Sequence, residues 1–182
     1  MLSREHALEL LLSRDPAPHM RRHALDSEAI MRTLAAHFGE DMELWGLSGL
    51  LHDVDYPDTE QTPERHGILA RDILAGHAPE ELIQAVAAHN SECTGIEPLS
   101  LLDKALRPAE SVTGMISAAA LVRPEGFDGM KVSSLKKKMK DKAFAAAVSR
   151  ERIRECEGIG LSLDDFLALS IEAMTASRRV EA

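Results

Sequence analysis

Between about Leu99 and Leu121 the side chains Leu102, Ala105, Ala109, Val112 and Ile116 return at intervals of three and four residues, and nowhere does the chain alternate apolar and polar residues over a useful length. The first pattern lines one face of an α-helix, and the missing second would mark a half-buried strand. Aromatic residues make up only 3% of a chain that is 45% hydrophobic. Its core must therefore be built from Leu, Ala, Ile, Val and Met, most of which favour helices. The predicted fold class is all-α, a compact bundle of several helices. With 182 residues and no long linker or internal repeat, a single helical domain over 1–182 is expected, large enough to bury a core without disulfides.

Stop and start signals divide the bundle. Ser3 caps a first helix that ends at Asp15-Pro16, and a second carries His23, Ser27, Ile30, Leu34 and Phe38 to a stop at Gly39. A third runs from about Asp41 to His52. After an Asp-Tyr-Pro-Asp loop, Thr62 and Pro63 predict the start of a fourth helix with His66, Leu69, Ala70 and Ile73 on one face. Pro79 opens a fifth, aligning Leu82, Val86 and His89 and breaking at 90–95. The long sixth helix follows, then a Pro- and Gly-containing loop from Arg123 to Val132, a helix from about Ser134, and a last one opened by the capping-box pattern Ser162 to Asp165.

The most hydrophobic stretch, LWGLSGLLHDVDYP at 44–57, ends in His52-Asp53, with Asp55 and a proline stop beyond. Mid-helix neighbours point roughly 100° apart, but at a helix end the second side chain can swing toward the first. Imidazole nitrogen and carboxylate oxygen are ligands for divalent ions such as zinc, manganese or iron. The bland alternative is a surface His-Asp pair ending a helix. His23 sits on an apolar stripe, where an imidazole needs a partner, and His66 and His89 repeat that situation on two further helices. One shared metal site accounts for all four. Asp103 and Glu110, two turns apart on the sixth helix, are both candidates for a further acidic ligand, and spacing does not choose between them.

The order His23, His52-Asp53, His66, His89 and then an acid resembles the HD-domain superfamily of metal-dependent phosphohydrolases, most closely a small single-domain bacterial and archaeal branch. The likeness runs along most of the chain, through ELWGLSGLLHDVDY, ERHGILARDIL, AVAAHN, KALRPAESVTGMISAAALVRP and SLKKKMKDKAFAAAVSRERI. It implies a helical HD-like core at about 19–122, with C-terminal helices at about 133–180. It implies a first divalent ion held by His23, His52, Asp53 and the Glu110 position, with His66 and His89 as the additional histidines of a binuclear site bridged by Asp53. That branch has Asp where this chain has Glu110, a departure that keeps a second reading open: a catalytically weak or inactive metal-binding or regulatory module. One or two ions, from manganese, iron, zinc, cobalt or magnesium, are the expected cofactor. The implied reaction is hydrolysis of a small phosphoester by metal-activated water, with nucleotides within the substrate class. His52 and Asp53 are then catalytic, and Asp55 is a candidate proton relay.

Charge narrows the partners. Thirty acidic residues against twenty-one basic give a net charge of −9, which disfavours non-specific nucleic-acid binding. The one basic concentration, Lys131 to Lys142, is either a solvated helix face or an edge that steers phosphate, with Arg107, Lys137 and Lys140 as the candidate substrate-binding residues. No apolar run is long enough for a membrane span, and Arg4, Glu5 and His6 stand where a signal peptide needs its apolar core. Two distant cysteines suit a reducing cytoplasm, the expected location, and the protein is expected as a monomer or small homo-oligomer.

Overall fold

The computed structural model describes residues 2–180, and among them there is no strand. Ser3 accepts the His6 amide and opens α1 (Arg4–Ser13). α2 (Pro18–Phe38) takes Pro at its first position and closes on Gly39, whose φ of 73° lies in the left-handed region that glycine tolerates. Asp41 accepts the amides of Glu43 and Leu44 to start α3 (Met42–Leu51), and His52 is its C-cap. Four short helices follow: α4 (Tyr56–Thr59), α5 (Ile68–Leu74), α6 (Glu80–Ala88) and α7 (Ser91–Thr94). A reciprocal capping box of Ser100 and Asp103 opens the long α8 (Leu101–Leu121). α9 (Val132–Lys140), α10 (Arg150–Arg154), a 3₁₀ turn at Glu155–Ile159 and α11 (Leu163–Val180) complete the chain. The Ser162 hydroxyl accepts the Asp165 amide at the start of α11.

Three local expectations change. The Asp-Tyr-Pro-Asp segment is not a loop but the short α4, which accepts Pro57 because a first-turn proline forfeits no helical hydrogen bond. Thr62 and Pro63 do not start a helix: residues 63–67 are turns, and α5 begins only at Ile68, after Gly67 has taken a φ of 91°. The reason is Asp55, whose buried carboxylate accepts the Gly67 and Ala70 amides at 2.8 and 3.0 Å and so caps α5 from a distant segment. Asp103 is committed to its own helix cap, accepting from the Leu99 and Ser100 amides and the Ser100 hydroxyl.

The bundle is organised around α2, which packs on α3, α8 and α11. Its approach to α3 is a backbone contact. A Cβ on Gly49 would lie 2.6 Å from the Ser27 carbonyl oxygen and 2.8 Å from the Glu28 nitrogen, so only glycine lets the two helices meet there. Buried carboxylates fix the register of α2: Glu28 accepts from Arg4 of α1 at 2.6 Å, and Asp26 from Arg178 of α11 at 2.6 Å. Two apolar clusters form the core. One centres on α8 and α11, the other on α1, α3 and α5, and α2, α3 and α6 contribute residues to both. Those three shared helices carry His23, His52 and His89, which places the imidazoles where the two clusters adjoin.

Candidate metal centre

His52, as the C-cap of α3, leaves Asp53 just past the helix end, and the Asp53 carboxylate turns back among four imidazoles. Its Oδ2 lies 3.5 Å from His23 Nε2 and 3.3 Å from His52 Nε2. Its Oδ1 lies 3.2 Å from His66 Nε2 and 3.5 Å from His89 Nε2. The cluster therefore divides into two triads, His23-His52-Asp53 and Asp53-His66-His89, joined by one carboxylate.

The outward nitrogens determine what the inward ones can do. His52 Nδ1–H donates to the Gly49 carbonyl at 2.8 Å, and His89 Nδ1–H to the Val86 carbonyl at 2.5 Å. His66 Nδ1–H donates to Asp55 at 2.9 Å. His23 Nδ1–H donates to the Thr113 hydroxyl at 2.8 Å, and that hydroxyl spends its own proton on the Glu110 carbonyl at 2.7 Å. With every Nδ1 proton committed, all four Nε2 atoms point inward. They meet in pairs, His52 with His23 at 2.9 Å and His66 with His89 at 3.0 Å. Two such nitrogens repel unless a proton or a cation lies between them.

Electrostatics carry the same demand for positive charge. Burial holds His23 below its ordinary pKa, with the neighbouring His52 adding to the effect. Burial would also lower His52 and His66, but Asp53 overcomes it at His52, and hydrogen bonds to Asp53 and Asp55 lift His66 to about 10. Asp53 falls well below the usual carboxylate range: burial opposes this, but the His52 charge and hydrogen bonds from three imidazoles prevail. Imidazole and carboxylate donors, each imidazole held from behind by an acceptor, form the donor set and outer shell of divalent-metal sites. The residues fit such ions. His52 is 1% and His89 3% exposed, whereas the His23 side chain is 22% and that of His66 13% exposed, so access is through the latter pair.

Several candidate residues are placed differently from expectation. His66 sits in the turn before α5 rather than on a helix, held by Asp55 and by the Asn90 amide, which donates to the Pro63 and His66 carbonyls. Asp55 is fully buried and reaches the cluster only through His66, whose Nδ1 it holds at 2.9 Å. Glu110 belongs to neither triad. Its carboxylate accepts from Arg152 at 3.1 Å and from Ser111 at 2.6 Å.

The Arg107 guanidinium is buried and donates to Glu92, Glu155, Ser91 and the His89 carbonyl. Lys137 and Lys140 lie on α9 and border cavities with Ser133, Asp164 and Arg154, away from the two that His23 walls. Thr113, Asn90 and Arg152 were not singled out from sequence. Only Thr113 had a signal there, one helical turn after Glu110 on the same side of α8.

The family model for the HD domain matches residues 20–123, more than half of the chain. The chain belongs to the HD-domain family. HD-domain proteins form a superfamily of metal-dependent phosphohydrolases that bind divalent metals. Among curated proteins, Ribonuclease Y of Desulfotalea psychrophila (strain LSv54 / DSM 12343) is 27% identical over 94 residues, which cover 51% of this chain and 18% of that protein. The chain thus spans under a fifth of the length of that relative. No solved structure matches it significantly. Among the described residues no helix is long and apolar enough to cross a membrane.

Proposed function

We propose that this HD domain hydrolyses a small phosphoester at the Asp53 cluster, with His23 and His52 holding one divalent ion, His66 and His89 a second, and Asp53 shared by both. The observation that carries this reading is the division of the Asp53 carboxylate: each oxygen faces one pair of inward imidazole nitrogens. A bound divalent ion supplies Lewis acidity toward the phosphoryl group and a water whose pKa falls toward about 7. The chain's own residues hold the donors still. Gly49, Val86, Thr113 and Asp55 lock the four rings, and the buried walls at His52 and His89 keep bulk water from one side of the cluster.

The likeness to a protein named as a ribonuclease is compatible with a phosphodiester as well as a monoester substrate. The test is release of phosphate or nitrophenolate from generic phosphoesters after loading with manganese or iron, compared with the Asp53→Ala variant. Stimulated turnover that disappears in the variant is expected; turnover untouched by it removes the site. Bound metal with no turnover on any phosphoester would instead make the domain a metal-binding module.

A further inference from the structure

His23 forms a wall of two cavities, and their difference speaks to the substrate. The smaller, about 250 Å³, is bordered by Glu110, Ser149 and Arg152. The larger, about 770 Å³, lies within the roughly 300–1,000 Å³ of pockets that take small organic molecules. Met20, Tyr56, Ala120, Leu121, Phe127 and Ala147 line it. Its charged residues are turned onto the protein: Arg22 and Arg178 both donate to Asp26, at 2.7 and 2.6 Å, and Arg178 also stacks over the Phe127 ring at 4.9 Å. The Thr113 hydroxyl is spent between His23 and Glu110. The polar groups on the cavity wall with no partner among the described residues are few, the His19 imidazole and the Tyr56 and Ser117 hydroxyls, so a nucleobase entering this space would leave part of its polar edge desolvated without a hydrogen bond, which costs free energy. An alkyl or aryl group would lose only its contact with water.

We infer that the organic part of the substrate is predominantly apolar, an alkyl or aryl group seated in the larger cavity while its phosphoryl group lies on the Asp53 cluster. This rests on the phosphohydrolase reading, whose phosphoryl position it uses. His23 joins the two functions, since its Nε2 belongs to the ligand cluster and the same residue walls the apolar space.

The test is calorimetric titration of the manganese-loaded full chain with n-alkylphosphonates from methyl to octyl, each below its aggregation concentration, beside nucleoside monophosphates. n-Alkyl phosphates of the same lengths are assayed in parallel for turnover. Because n-alkyl leaving groups differ little in intrinsic reactivity, length reports burial. Up to about fourfold tighter binding per added methylene is expected until the cavity fills, with kcat/KM rising in step.

Ser117→Trp, on the cavity wall, should flatten that slope. Leu121→Glu, at a position 87% exposed where folding is not at stake, should lower it. Affinity independent of chain length, or nucleoside monophosphates binding more tightly than octylphosphonate, overturns the inference even if phosphatase activity is present. A clear length dependence in binding without turnover of any ester leaves the cavity assignment standing and removes the phosphohydrolase reading instead.

Discussion

Replacing Asp53 with Asn should abolish stabilisation by both proposed metal ions, whereas His66→Gln should abolish only one. Each Asp53 oxygen serves a different triad, so the single change weakens two donor sets, while His66 belongs to one. An ion present at 100 times its dissociation constant stabilises the folded chain by about 2.7 kcal/mol, and two independent ions by about 5 kcal/mol. For a domain of this size each kcal/mol moves Tm by roughly 2–4 °C. The native chain should therefore gain roughly 10–20 °C on manganese loading, His66→Gln roughly 5–10 °C, and Asp53→Asn almost nothing. Differential scanning calorimetry, with metal content measured on the same samples after gel filtration, reads both quantities. If His66→Gln loses both ions, or Asp53→Asn keeps a full one, the two-triad reading of the cluster is wrong.

Three further outcomes follow from the outer contacts. Asp55→Asn keeps an acceptor for the Gly67 and Ala70 amides but presents an amide donor to His66 Nδ1, so affinity at the His66 triad should fall about 10- to 100-fold, measured by competition with a metal indicator; unchanged affinity would mean that Asp55 does not set the ring. Gly49→Ala drives a Cβ into the backbone of α2 and should cost about 3 kcal/mol, the upper end for overpacking, seen as a Tm drop of several degrees. A shift under 1 °C would show that the helices separate freely. Glu110→Ala should leave metal stoichiometry unchanged, since its carboxylate lies in neither triad, and loss of an ion by elemental analysis would return Glu110 to the ligand set.

Much of the helical frame could be read from local chemistry. Ser3, Gly39, Asp41 and Ser162 mark boundaries where their side chains or dihedrals do so in the fold, because a cap depends on residues within one turn of it. The convergence of His23, His52 and His89 was legible for a related reason: each stands in register with an apolar stripe or at the end of one, and stripes face inward. His66 reached the same cluster by a route that helical period does not describe. Its turn is set by Asp55, eleven residues earlier, and by Asn90, twenty-four residues later.

Arg107 and Glu110 show the other limit. Both lie on α8 beside the expected site, but the directions of their side chains depend on Glu92, Glu155 and Arg152, which come from distant segments. No spacing rule reveals which carboxylate a long cation will choose. The Lys137 and Lys140 expectation rested on the local concentration of lysines at 131–142, and charge density does not say which way a helix faces.

The two halves of the cluster differ in how they are anchored. His23 and His52 stand on helices whose backbones touch at Gly49, whereas His66 hangs from a turn tethered by one carboxylate and one amide. Were that turn to open, His66 would leave the cluster while His23, His52 and Asp53 kept their anchors. In the proposed two-ion arrangement the first position would then be a resident site and the second an exchangeable one, filled last, emptied first by chelators, and responsive to whichever ion is abundant in the surroundings. Activity that needs both would track the supply of the looser ion, turning a local difference in tethering into a dependence on metal availability.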